Sequence, residues 1–517
     1  MIQPDAQGLY HPKDNDQIIE LVEYAKRNHL QVRVQGAAQS ETSSVFTDGF
    51  DQPGSKNINI ELDQLRRLEL IAPLTVVAGA GWNLGFNPFD PAGVSSEDDS
   101  NNLLRVLDKK WSLSIQNVPD AIHQTVGGFI STGSSAGTMQ HSFDECILSV
   151  TIIDGTGALK VFNRSGNPQD DFFGVVVSMG LMGIITEVTL QCTPAFNIIG
   201  QEAVTAVSDC EFDFFGPDGG EKLSLKEFLT KTEFCRILWW PIKSLQRAIV
   251  WQSRIMEPHD HKERTGRIRP QPYQPLFPKW FGLDTTFPSE FVAAKSFELI
   301  ATWPNWLHDI LGNDPEIFAL EKGIRAIFPS IYPLLSDKYF PVNSPERPAQ
   351  EFWSGWLDSL PMDKVEFSNN LFDLTYTEIW VAAGEATKTI RLLDEHYKRH
   401  GCSATGFYTV EVRAAPKSEF WLSPAYQQDS IRFNIMYFNK SIVKAEIYFA
   451  QFWHLLYNNQ IDFRLHWGKK LPSPESETGA TYLKAQYPQW TVFMDLRRKM
   501  DPHNIFLNNY WKAHLGI

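Results

Sequence analysis

Helical and strand periodicities alternate along the chain. Near its start Ile18, Leu21, Val22 and Ala25 recur at the spacing of one helix face, behind Asp14 or Asn15 as the cap. "LQVRVQG" then alternates Val32 and Val34 as a strand does and runs into a small-residue turn, "GAAQS", Gly36 to Ser40. The same reading predicts strands at "INIELDQL" and "LTVVAGAGW" and a helix at "NNLLRVLDKKW". "ILSVTIIDGTGALKVF" reads as a strand pair around a turn, and "FFGVVVSMGLMGIITEVTLQ" as a helix, a glycine-marked bend and a strand. The first 195 residues are therefore α+β with short mixed strands.

Beyond Phe196 the pattern changes. "CRILWWPIKSLQRAIVWQ" predicts a hairpin carrying Trp239, Trp240 and Trp251. In "RIRPQPYQPLFPKWFG" the prolines at 270, 272, 275 and 278 remove donors too often for a regular helix. The apolar stretch from Phe291 to Leu311 fits a buried helix or an oligomer contact better than a membrane contact or a cover over a site. Strands return after Glu351 at "LTYTEIWVAA", "GFYTVEVRAA" and "IRFNIMYF".

Composition narrows the function. A length of 517 residues calls for at least two domains, and 43% hydrophobic with 21% charged residues is the balance of a globular protein. The net charge of -14 disfavours a nucleic-acid partner. Cys146, Cys192, Cys210, Cys235 and Cys402 are odd in number and lack C-x-x-C spacing, so neither a disulfide framework nor a zinc site is expected. His259 and His261 form an H-x-H pair with no third ligand in view, so no metal is expected. The first residues lack the features of a secretory signal, and a cytoplasmic location is expected.

The stretch "QTVGGFISTGSSAGT" concentrates glycines at 127, 128, 133 and 137 with the hydroxyls of Thr125, Ser131, Thr132, Ser134 and Ser135. Such a loop can bring backbone donors close to a diphosphate, or it can be a tight turn in a packed fold. The turn at Gly36 to Ser40 supplies a second small-residue loop after a strand, so that two loops can grip one phosphate pair. "GAGWNLG" spaces its last glycine wrongly for a dinucleotide fingerprint, and no G-x-x-x-x-G-K-[ST] loop is present, which removes an ATPase reading. On a strand, "FYTVEVRAA" puts Tyr408, Val410 and Val412 on one face and Thr409, Glu411 and Arg413 on the other. That carboxylate and guanidinium can bind a polyol's hydroxyls and assist proton removal, or form a surface ion pair. In "RLHWGK", Lys469 can neutralise a developing alkoxide or lie in solvent, with His466 in the same bend.

Taken in order, "HPKDNDQIIELVEYAKRNHLQVRVQGAAQS", "QTVGGFISTGSSAG" and "VSMGLMGIITEVTLQ" resemble the PCMH-type FAD-binding domain of the vanillyl-alcohol oxidase superfamily. "VEVRAAPKSEFWLSPAY", "RLHWGKKLP" and "DPHNIFLNNYW" are similar to its sugar-acting branch, the D-arabinono-1,4-lactone, L-gulono-1,4-lactone and alditol oxidases. The resemblance implies a two-domain α+β fold: an FAD domain at 1–195, a sheet-plus-helices substrate (cap) domain at 196–480 with an aromatic insert at about 255–350, and a segment 481–517 returning to the FAD domain. It places Gly36, Ala37, Ala38, Gln39 and Ser40, and Thr125, Val126, Gly127, Gly128, Ser131, Thr132, Gly133 and Ser134, on the diphosphate loops. Gly183, Ile184 and Ile185 fall on the strand that passes the adenine side.

Glu411, Arg413 and Lys469 fall on residues that line the family's sugar site, with His466 orienting the loop. Two departures stand out. Gln39 in "AQS" occupies the place of the histidine that many relatives bond to the flavin, which implies non-covalent FAD and favours a dehydrogenase over an oxidase. "TGSSAG" stands where "TGTHG" is usual. The implied activity is FAD-dependent oxidation of a CH–OH group in a small-molecule lactone or polyol, with O2 or another acceptor. The size of the insert keeps a bulkier or lipid-linked alcohol open, the direction of a reductase also stays open, and the lost histidines leave room for a non-catalytic flavin-fold binding protein.

Overall fold

The computed structural model describes residues 2–87, 90, 101–257, 259–260, 270–274, 341–361, 374–401, 405, 409–439 and 443–517. Most of the aromatic insert, the apolar stretch 291–311, His261, Cys402 and Tyr408 lie outside the described residues. Helices and sheets are mixed, as an α+β chain requires.

The helix Asn15–Asn28 forms where its apolar spacing demands. Asp14, not Asn15, is the cap, accepting from the Gln17 N–H at 2.9 Å, and Ile18, Leu21, Val22 and Ala25 are the buried face. A parallel three-stranded sheet has the order Leu9–Tyr10, Ile58–Glu61, Val32–Gln35. An antiparallel five-stranded sheet follows, ordered Leu68–Ala72, Thr75–Gly79, Ile184–Gln191, Ile147–Ile153 and Leu159–Asn163. The expected hairpin around "DGTG" is the pairing of its last two strands.

The third sheet is antiparallel throughout and has eight strands: Gln350–Gly355, Asn197–Ala206, Arg247–Ile255, Phe234–Trp240, Val410–Ala415, Ser430–Phe438, Leu374–Ala382 and Phe463–Leu465. One face is apolar: Val410, Val412, Ile431, Phe433 and Ile435 are fully buried in the continuous core. The helices Ala386–His400 and Ala445–Asn458, which the strand-centred reading of this half does not include, bury Ile390, Leu393, Phe449 and Phe452 in the same core.

The C-terminal residues lie against the first sheets. The Val32 N–H donates to Ile505 O at 2.7 Å, Gly155 N–H to Met500 O at 2.8 Å, and the Asn508 amide to Ser43 O and Phe46 O at 2.8 and 2.7 Å. Asp501 shapes this segment. Fully buried, it accepts from the Ile505 and Phe506 N–H groups at 3.0 Å each and pairs with Arg497 at 3.3 Å. Asp501→Ala leaves these donors unpaired in the interior and is expected to lower stability by about 2–4 kcal/mol in urea titrations, whereas Asp495→Ala on the exposed face of the same helix changes it by less than about 0.5 kcal/mol.

Candidate functional site

A cleft opens between the first two sheets and the C-terminal residues. Its walls include Gly36 to Ser40, Thr125, Gly127, Gly128, Ser131, Thr132 and Gly183 to Ile185. The backbone N–H groups of Ala37, Ala38, Gln39 and Ser40 find no acceptor among the described residues. Consecutive unclaimed amides on a small-residue turn form an anion-binding concavity. Ala38 sits at φ 51°, in the left-handed region that the turn requires.

The glycine stretch behaves differently from a free loop. Val126–Ser131 is a short helix capped by Thr125, and its first amides are taken: Val126 N–H by Trp82 O at 2.8 Å, Gly127 N–H by Ala80 O at 3.0 Å and Gly128 N–H by Thr125 Oγ1 at 3.2 Å. The Ser131 hydroxyl turns back to Gly127 O at 2.6 Å. The glycines here are needed for protein packing. A Cβ on Gly127 would come within 3.0 Å of the Ala80 Cβ, and one on Gly36 would collide with Thr125 Oγ1. The stretch is thus a floor on which the amide-bearing turn rests. Val126 is buried beneath it, and neither Gly133 nor Ser134 reaches the cleft wall.

Beyond Ser134 the chain meets the polar face of the large sheet. Cross-strand register aligns Glu378, Asn434 and Glu411 in one row, and Trp380, Arg432 and Arg413 in the next. Arg413 is 5% exposed, so this is no surface ion pair. Its Nε donates to Glu411 Oε1 at 2.9 Å and its terminal nitrogen pairs with Asp120, which also faces Arg236 at 3.4 Å. Asn434 donates to Glu411 Oε2 at 3.2 Å, while its buried Oδ1 has no partner. Arg432 pairs with Glu378 at 3.1 Å, donates to Ala136 O at 2.6 Å and lies over the Trp380 ring. Burial alone would raise the Glu378 carboxyl, but Arg432, His466 and Lys469 hold it below its ordinary value.

The bend "LHWGK" joins cleft and sheet. Trp467 forms part of the cleft wall. Gly468 O accepts from the Glu41 N–H at 2.9 Å, and a Cβ on Gly468 would approach Ser40 Oγ to 2.6 Å, so the bend closes directly on the amide turn. His466 Nδ1 accepts from the Gly468 N–H at 3.1 Å, which leaves the proton on Nε2, 2.8 Å from Ser134 Oγ. Burial, reinforced by Lys469 and Arg432 and opposed by Glu378, pulls His466 down to about 4, so the ring is neutral. Lys469 Nζ lies 5.0 Å from the Tyr376 ring centroid. Burial lowers its pKa, while Glu378 and Glu411 oppose that shift through space.

The structure therefore brings Glu411, Arg413, His466 and Lys469 together. Glu378, Arg432, Asn434 and Asp120 belong to the same cluster and escape the motif reading. Strand parity was the available signal: "TEIW" and "RFN" place Glu378, Arg432 and Asn434 opposite apolar neighbours that are buried. Arg33, Met179, Gly180 and Trp511 are further cleft residues; they lie within the stretches that carry the resemblance but are not singled out there. Among the described residues no cluster of metal-ligating side chains occurs, and no helix is long and apolar enough to cross a membrane. His259 is exposed, and burial pushes the thiols of Cys146, Cys192 and Cys210 up to about 12, which leaves them unreactive.

Residues 302–514 match the family described as D-arabinono-1,4-lactone oxidase. Across 97% of this chain and 93% of the other, it is 24% identical to an L-gulonolactone oxidase of Mus musculus. It is 21% identical to an L-gulono-1,4-lactone dehydrogenase of Mycobacterium tuberculosis, over 98% of this chain and 96% of that one. A solved cholesterol oxidase from B. sterolicum superposes with a TM-score of 0.68 over 98% of this chain and 94% of that chain at 15% identity, a likeness of fold. The fold is the mixed α+β fold of that structure.

His123, His466 and His514 are buried and each is held near a pKa of about 4, against 6.5 when unfolded. Between these values the unfolded chain takes up protons that the folded chain refuses, so their contribution to stability falls as pH drops through that window. In urea titrations from pH 7 to 4, His466→Gln is expected to reduce the pH dependence by about one proton, up to about 1.4 kcal/mol per pH unit.

Proposed function

We propose that this chain, a relative of the aldonolactone oxidases within the PCMH-type FAD-binding superfamily, is an FAD-dependent oxidoreductase that oxidises a CH–OH group of a polyhydroxylated lactone or polyol. The observation that carries the reading is the bend from His466 to Lys469, which lines the cleft through Trp467 on one side and meets the charged sheet face on the other. Both features fit FAD. The unclaimed amides of Ala37 to Ser40 suit a diphosphate, and the small residues of the turn let it approach. Bound FAD supplies the acceptor for the two electrons leaving the substrate carbon. Gln39 cannot bond covalently to a flavin; its side-chain amide donates instead to Ala37 O at 3.2 Å, and the cofactor is held non-covalently.

The side chains of the sheet face bind and orient the substrate. Glu411 and Arg413 fix each other through their ion pair, and the buried Asn434 Oδ1, which has no partner in the protein, accepts from a hydroxyl. Lys469 meets the reacting hydroxyl. Burial lowers its pKa, and in its charged form it stabilises the alkoxide. Glu378 keeps the local charge balanced, and neutral His466 holds the bend through Gly468 and Ser134. So many paired charges favour a hydroxyl-rich substrate over a sterol-like alcohol, whose apolar body would leave them without polar contact. A binding-only protein would have no use for them.

The visible spectrum of the purified protein comes first, followed by acid precipitation: flavin bands that pass into the supernatant are expected, and a colourless protein that FAD cannot reconstitute would overturn the reading. Anaerobic bleaching is expected with aldonolactones or polyols and not with hydrophobic alcohols. Lys469→Met is expected to lower the bleaching rate at least about 100-fold with flavin content unchanged; an unchanged rate would remove this lysine from the chemistry.

A further inference from the structure

Arg33 stands on the strand Val32–Gln35 that runs into the amide turn, and its side chain forms part of the cleft wall. It is 5% exposed. Its guanidinium donates to three backbone carbonyls, Phe506 O at 3.0 Å, Ser44 O at 2.6 Å and Met179 O at 2.9 Å, while the buried Nε has no partner. It forms no ion pair among the described residues. Burial draws its pKa down only to about 10, which leaves it charged at neutral pH.

Carbonyl dipoles satisfy some of its hydrogens but supply no opposite charge. A buried cation without a carboxylate is costly: Arg413, Arg432 and Arg497 each have an acidic partner, while Arg464, like Arg33, is held by backbone carbonyls but lies outside the cleft wall. Arg33 borders instead a cleft whose adjoining turn offers the unclaimed amides of Ala37 to Ser40. Amides and guanidinium together select an anion held in the cleft.

We infer that Arg33 is the buried counter-charge for the diphosphate of the cofactor, and that through Phe506 O it couples filling of the cleft to docking of the C-terminal segment. The inference rests on the flavin reading. Occupation of the cleft by the diphosphate offsets the cost of burying the guanidinium, and the contact with Phe506 O is strengthened with it; by reciprocity, a docked C-terminal segment raises cofactor affinity.

FAD affinity of the full-length apoprotein, measured by flavin fluorescence, separates charge from shape. Arg33→Met is expected to weaken FAD roughly ten- to hundredfold. Arg33→Lys, which keeps the charge but loses the fork of carbonyl contacts, is expected to stay markedly closer to the wild type. Equal weakening in both variants, or none in either, overturns the role. Should Arg33→Met fail to fold, hydrogen exchange of the wild-type apoprotein decides: ADP is expected to protect residues 501–507 and adenosine at the same concentration is not, and equal protection or none overturns the coupling. A wild type that binds neither FAD nor ADP removes the flavin reading itself, whereas FAD binding indifferent to Arg33 leaves that reading in place and removes only this one.

Discussion

Arg413 and Arg432 face each other across neighbouring strands, deep in the molecule. Two like charges directly opposed repel, and each further loses its hydration. They are tolerable because carboxylates bracket them: Asp120 and Glu411 on one side, Glu378 on the other. Asp120 comes from the N-terminal half of the chain, and Arg432 donates back to Ala136 O in that half. Compensating the charges of the large sheet is therefore the same event as joining it to the rest of the fold. The candidate site inherits its geometry from that requirement.

The glycine-rich stretch and the turn at Gly36 illustrate a division of labour. One provides rigid packing, with its amides and hydroxyls consumed by the protein; the other provides open donors. Their contact through Gly36 and Thr125 makes each depend on the other, since a side chain at either surface would separate them. The same holds between the turn and the bend at Gly468. Three segments far apart in sequence thus fix one cleft.

Local periodicity made most of the strands legible, and so was the helix behind Asp14. Within the site, Glu411 and Arg413 could be read because they share one short strand face, and Lys469 because its bend is compact. Glu378, Arg432 and Asp120 could not be read as a cluster, because their partners are supplied by sheet register and by a loop nearly 300 residues distant. Whether an amide is free or consumed is equally hidden: the glycines at 127 and 128 look as available as the residues at 37 to 40, and only Ala80 O, just past the strand Thr75–Gly79, and Thr125 Oγ1 decide otherwise. Arg33 lies in the first of the quoted stretches, yet nothing there sets it apart. Its importance arises from what it lacks.

Ala38 holds a left-handed conformation that alanine adopts at a cost of roughly 1 kcal/mol, a cost glycine would not bear. The turn is not in that shape by its own preference; Gly468 O, gripping the Glu41 N–H from the far end of the chain, helps hold it there. Residues 1–195 expressed by themselves would carry the strand and the turn's sequence but not its aligned amides. For protein engineering this makes the cleft indivisible: a split protein, a circular permutant or a graft of the N-terminal unit onto another cap has to bring the bend at 466–469 with it.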